Sequence, residues 1–155
     1  MTLQTKRYVL GFAFWREQVA LIFKTKGPEY VIGTWNGIGG KIEADETGPD
    51  AMAREFFEET GVRIDSGFWY LFAAQRGKSW DGPEYELNCF VAHLPEDGNF
   101  TEINNTEGDG EVVSWFTYGD YETRDSFEDI ITPNLKWLLP LALDHTTGFL
   151  EIREH

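Results

Sequence analysis

Cysteine is nearly absent from this chain of 155 residues: Cys89 is the only one. No intrachain disulfide can form, so the fold must hold by packing, and nothing points to an oxidising compartment. A buried, apolar thiol is the expected state of Cys89. Positive charge is scarce as well. Thirteen Lys and Arg face 27 Asp and Glu, a formal net charge of -14, and a surface of that sign repels the phosphate backbone of a long nucleic acid. A small nucleotide remains admissible if carboxylates hold a divalent cation, which then becomes the largest local charge. Long hydrophobic runs are missing too. Tyr8 to Phe14 is apolar but short, Arg16 and Glu17 interrupt it, and no small-residue cleavage site follows. Neither a membrane span nor a cleaved leader is therefore expected, and a soluble cytoplasmic protein fits.

Aromatic residues, by contrast, are plentiful. Six Trp and twelve Phe must mostly be packed, which argues against disorder. The length suits one domain over residues 1–155. β-Rich runs at Tyr8 to Trp15 and Val19 to Lys24, separated by Arg16-Glu17-Gln18, predict a hairpin. A loop is expected from Lys26 through the glycine-rich stretch Gly33 to Gly40. Gly48 to Thr60 is the best helix candidate, with Pro49 in its first turn, apolar Ala51, Met52, Phe56 and Phe57, and Gly61 at the C′ position. Further strands are expected at Phe68 to Ala74, Tyr85 to His93 and Glu111 to Tyr118, and a second helix at Trp137 to Leu143. Strands, a helix, more strands and a second helix predict an α+β fold with a mixed sheet and helices packed on it. No internal repeat is present.

The chemistry concentrates in Gly40 to Val62. On a helix Glu55 and Glu59 lie one turn apart, and Glu58 shares their face, so like charges converge. Each such pair costs about 0.2–0.5 kcal/mol, and acids near a helix C-terminus also oppose the macrodipole. Something must compensate. A hard divalent cation would do so, since magnesium prefers oxygen ligands and keeps waters for a phosphate to displace; Arg54 is a second neutralising group.

These twenty-three residues follow the pattern Gly, five residues, Glu, seven residues, Arg-Glu, an apolar residue, any residue, Glu-Glu, any residue, Gly, an apolar residue. That pattern matches the Nudix box at every defining position, and the chain resembles the Nudix hydrolases. The resemblance implies an α/β/α sandwich and a magnesium-dependent cleavage of a phosphoanhydride bond, with manganese as a substitute metal. Carried across residue by residue, Glu55, Glu58 and Glu59 become metal ligands, with the Gly39 carbonyl beside them and Gly40 as its near alternative. Glu55 is the first choice for the base that activates water, Glu58 assists at the metal, and Arg54 with Glu46 resembles the pair that orients the ligand helix. Relatives often add an acid shortly before a Trp in a later strand. Glu111, ahead of Trp115, is the candidate, with Glu107 and Asp109 in competition. Cys89 and the three histidines have no role in this scheme.

Trp35 to Lys41 is similar to a segment of the oxidised-purine nucleoside triphosphatases. That likeness makes Asn36 a base-reading candidate, although an Asn before Gly is also good turn chemistry. Lys24 and Lys41 become candidates for the substrate pocket. Those enzymes carry adjacent Asp residues before a C-terminal helix, whereas this chain has Asn134-Leu135, so only Asn134 keeps a polar side chain for a base edge. The expected partner is a small nucleotide: a nucleoside triphosphate cut to monophosphate and pyrophosphate, such as an oxidised purine nucleotide. ADP-ribose or nucleotide-sugar hydrolysis is the alternative, and a catalytically silent nucleotide-binding module is the alternative of another class. Capped RNA is disfavoured by the net charge. Oligomeric state is left open.

Overall fold

Every second side chain of a strand points to the same side of its sheet, and in the first strand both sides are apolar. In β1 (Lys6–Trp15), Val9, Ala13 and Trp15 enter one core, while Leu10, Phe12 and Phe14 enter another. A strand buried on both faces belongs at the centre of a sheet, and β1 is there. The computed structural model describes residues 4–78, 82–103, 111–117 and 129–144, and the backbone of 150–153.

The remaining strands are β2 (Gln18–Phe23), β3 (Trp35–Asn36), β4 (Ile38–Lys41), β5 (Tyr70–Lys78), β6 (Glu84–His93), β7 (Val112–Thr117) and β8 (Leu150–Arg153). Their order is β3-β2-β1-β6-β5-β8, with β4 paired to β1 and β7 to β2. The β1–β6 and β5–β8 pairs are parallel and the others antiparallel, so the sheet is mixed as expected. β1 and β2 meet through a two-residue turn in which Arg16 (φ 47°) and Glu17 (φ 60°) are both left-handed. That geometry matches the twist of a tight hairpin, and Gln18 already belongs to β2.

Among the described residues, two helices cover the two faces. α1 (Gly48–Thr60) starts where the Thr47 hydroxyl accepts the Asp50 N–H at 3.2 Å and Pro49 occupies the first turn. It ends at Gly61, whose φ of 75° is costly for other residues and whose N–H reaches the Phe57 carbonyl at 2.8 Å. Ala51, Met52 and Phe56 pack on the Val9 side of the sheet. α2 (Leu135–Leu143) lays Leu135, Leu138, Leu139 and Ala142 on the Leu10 side, where Cys89 also lies. Burial pushes the Cys89 thiol up to about 12, consistent with an inert packing role.

The sequence expectations need correction in three places. Gly33 to Gly40 is not all loop, because Trp35–Asn36 and Ile38–Lys41 are strands. Glycines carry no side chain with which to display alternation, and Ile38 is fully buried in the α1-side core. Phe68 lies in a 3-10 turn (Ser66–Phe68), and the strand that follows it runs on to Lys78. β8 was not anticipated. Among the described residues, no helix is long and apolar enough to cross a membrane.

Candidate active site

Arg54 stands at the centre of the charged edge of α1. Its Nε and Nη2 atoms grip the two oxygens of Glu46 at 2.7 and 2.9 Å, a bidentate fork. Nη2 also donates to the Lys41 carbonyl at 3.0 Å. Nη1 reaches Glu55 Oε1 at 2.9 Å and both Glu58 oxygens at 3.3 Å, while Glu43 lies 3.9 Å away. The Glu46 carboxylate in turn accepts the Glu43 N–H at 3.1 Å, so one guanidinium ties the loop before α1 to the middle of the helix. The hydrogen bond from Arg54 holds the Glu46 carboxyl below its ordinary value. The same bond, followed by contact with Glu55, raises Arg54.

Two glycines shape the adjoining strand. A Cβ at Gly39 would collide with the Val9 carbonyl, and one at Gly40 would meet the Glu55 carboxylate, with Cδ at 2.5 Å. Glu55 therefore packs against the backbone of β4 at Gly40, in a cradle that any side chain there would fill. Among the described residues no three acidic, His or Cys side chains are gathered tightly enough to hold an ion as they stand. Glu55 and Glu58 turn to Arg54, and the guanidinium supplies the compensating charge. The donor set nevertheless suits a hard cation: oxygens of Glu55, Glu58 and Glu59 from one helix, and a carbonyl-bearing strand against Glu55.

Other predicted residues fall elsewhere. Lys24 and Glu111 are brought together with each other: Lys24 Nζ lies 3.0 and 2.9 Å from the two Glu111 oxygens, and the Thr25 N–H reaches Oε2 at 3.3 Å. Glu111 is 5% exposed and Lys24 partly exposed, so a predicted metal ligand and a predicted substrate lysine form one part-buried pair. Glu107 and Asp109 lie outside the described residues. Asn36 Oδ1 accepts the Gly37 N–H at 2.8 Å, so its side chain shapes the β3–β4 junction. Lys41 is exposed at the end of β4. Asn134 precedes α2 without capping it, and its buried Oδ1 has no hydrogen-bond partner among the described residues.

The end of α2 nearest Asn134 is fastened to β3. Thr132 and Trp35 exchange backbone contact through the Thr132 N–H at 2.9 Å, and the Thr34 and Thr132 hydroxyls meet at 2.9 Å. Trp35 packs edge-on to Phe116 and tilted against Phe23. Sequence reasoning missed a further polar group, Gln75, which is 8% exposed within β5. A lone Gln in an apolar run leaves little trace; only the strand register shows what surrounds it.

The family model described as the NUDIX domain matches residues 5–138. The oxidized purine nucleoside triphosphate hydrolase of Mus musculus is 36% identical over 62 residues, covering 40% of this chain and 38% of that one. The NAD-capped RNA hydrolase of Chromobacterium violaceum is 30% identical over 91 residues, 59% of this chain and 31% of the other. The chain thus spans about a third of the length of these relatives in the matched stretches. Among solved structures, a bifunctional NMN adenylyltransferase/ADP ribose pyrophosphatase of Francisella tularensis, complexed with AMP and manganese, superposes with a TM-score of 0.71. It is 17% identical, with 92% of this chain and 42% of that one covered.

Proposed function

Because the chain belongs to the Nudix family by a match over residues 5–138, we propose that it hydrolyses a phosphoanhydride bond in a nucleoside triphosphate, releasing nucleoside monophosphate and pyrophosphate. Oxidised purine nucleotides are the first substrates to consider. The observation that carries this reading is the packing of Glu55 on Gly40 beneath the Arg54 clamp. It seats the Glu55 carboxylate against the glycine strand, where it would join Glu58 and Glu59 in holding a hard cation. The 36% identity to the mouse enzyme over the matched stretch favours the triphosphate.

In this reading Glu55, Glu58, Glu59 and the Gly39 carbonyl hold magnesium, or manganese in its place. The ion would neutralise phosphate charge and make attacking water more acidic. Glu55, which Arg54 holds in place by Oε1, is the carboxylate that takes the proton from the water. Glu46 keeps the Arg54 guanidinium in place through its fork. Lys24, Lys41, Asn36 and Asn134 contact the substrate, and Asn134 is suited to a base edge because its Oδ1 is spent on no helix cap. Glu111 serves the site through Lys24, or as a further ligand when that lysine turns to a phosphate.

The test is a product-resolved screen, with magnesium, of nucleoside triphosphates, 8-oxo-purine triphosphates, ADP-ribose, nucleotide sugars and NAD-capped RNA. Monophosphate and pyrophosphate from a triphosphate are expected at the highest kcat/KM. Turnover confined to ADP-ribose or nucleotide sugars would replace the reading, and turnover of none would leave a binding module.

A further inference from the structure

The face of the sheet under α2 changes character along its length. In the row Leu10–Cys89–Ala73, across β1, β6 and β5, all three residues are buried in the core that α2 covers. The preceding row on the same face is Tyr8–Leu87–Gln75. Here Tyr8 and Leu87 are only partly buried. This row is a ledge at the edge of the helix cover: an apolar centre, Leu87, flanked by a phenol on one strand and an amide on the other. With strands about 4.8 Å apart, Tyr8 and Gln75 stand about 10 Å apart at their backbones, enough for a flat purine laid on Leu87.

The amide end of the ledge is constructed. Tyr85, two residues before Leu87 on β6, pairs with Gly77 on β5, where a Cβ would lie 2.8 Å from the tyrosine hydroxyl. Glycine there lets the phenol ring lie across β5, bringing its hydroxyl to Gln75 Nε2 at 3.3 Å. That contact engages the nitrogen end of the amide. The Gln75 Oε1 is buried and has no hydrogen-bond partner among the described residues. An unpaired buried acceptor is costly, a cost without structural return unless a ligand supplies the donor. The last torsion of a glutamine is soft, so a small rotation turns Oε1 towards the ledge.

We propose that Gln75 is a specificity-determining residue that accepts a hydrogen bond from the exocyclic amino group of a purine seated on Leu87. This inference rests on the nucleoside triphosphate reading above and extends it: the ledge selects amino-bearing purines over purines that lack the group. The chain then reads its base from two sides, Asn134 at the start of α2 and Gln75 from the sheet.

The experiment compares kcat/KM for GTP with ITP, and for ATP with the triphosphate of unsubstituted purine riboside, in the wild-type protein, Gln75→Leu and Gln75→Glu. In the wild type at least one amino-bearing member is expected to be favoured about tenfold or more. Gln75→Leu should erase that preference, chiefly through KM, while Gln75→Glu, which keeps an acceptor, should retain it. UTP, whose base has no exocyclic amino group, should be affected least by Gln75→Leu. Because Gln75→Leu removes an unpaired polar group, its thermal midpoint should equal or exceed the wild-type value, which separates a specificity effect from misfolding. No preference in the wild type, a preference that survives Gln75→Leu, or an equal loss for every nucleotide overturns the inference. Absence of triphosphate turnover in the wild type overturns instead the reading on which it rests.

Discussion

The two faces of the sheet differ in how much charge they carry. On the α1 side charge is dense and answered within the chain: Arg54 alone engages Glu46, Glu55 and Glu58. On the α2 side charged groups are few; Gln75 Oε1 and Asn134 Oδ1 are buried there with no partner among the described residues, as Trp69 Nε1 is on the α1 side. On the proposed function, the difference in charge separates two tasks. A reaction that handles phosphate charge needs groups held rigidly by one another before substrate arrives. Recognition of a base gains most from groups whose partner is the ligand itself, since the wrong ligand then leaves them unpaired.

Removing a carboxylate from the α1 face should produce the largest change. Glu58→Gln, assayed with saturating magnesium, is expected to lower kcat by at least about a hundredfold. Its thermal midpoint should stay within about 2 °C, because the Arg54–Glu58 contact is half exposed and worth little. Near wild-type turnover would take Glu58 out of the chemistry and leave α1 a structural helix.

The Lys24–Glu111 pair sharpens the comparison next, since it is a part-buried ion pair whose members were assigned separate tasks. Lys24→Met, Glu111→Gln and the double variant form a thermodynamic cycle in which a coupling of about 1–3 kcal/mol is expected from denaturant unfolding. Coupling near zero would mean that the two serve separately, Lys24 at substrate and Glu111 at metal.

How far the sequence reaches is clear from these same residues. α1 was legible to its ends because Thr47, Pro49, Gly61 and the acids between them sit in one continuous stretch, where spacing alone sets geometry. The mixed sheet and the second helix were legible from their apolar runs. β3 and β4 were not, since Gly37, Gly39 and Gly40 interrupt the pattern that marks a strand. Gln75 and Tyr85 were out of reach for another reason: they meet through β5–β6 register and the missing side chain of Gly77, none of which is local. Lys24 and Glu111 were each singled out, yet their pairing depends on a loop closing back over 87 residues.

The smallest effect expected is in acid. Glu46 has a folded pKa held below its ordinary 4.5 by Arg54. Its contribution to stability is therefore present above that value and is lost as pH falls through the lowered one. Glu46→Gln should be less stable than wild type at pH 7, and the gap between their unfolding midpoints should narrow as pH drops below 4.5. A gap independent of pH would mean that the fork works by shape rather than charge.

The parallel pairing of β1 with β6 also governs how the chain must assemble. The Trp15 ring nitrogen donates to the Pro95 carbonyl across a separation of 80 residues, and Lys6 to Phe14 line up with Tyr85 to His93 along the whole interface. The central strand can form its hairpin with β2 early, since only two residues intervene. Its other edge stays open until residues beyond 93 exist, and the closure entropy of that long loop must be met before the contact stabilises anything. During synthesis, β1 is thus an apolar strand with one exposed edge for most of the chain's emergence, a natural client for a chaperone and the segment through which aggregation would begin.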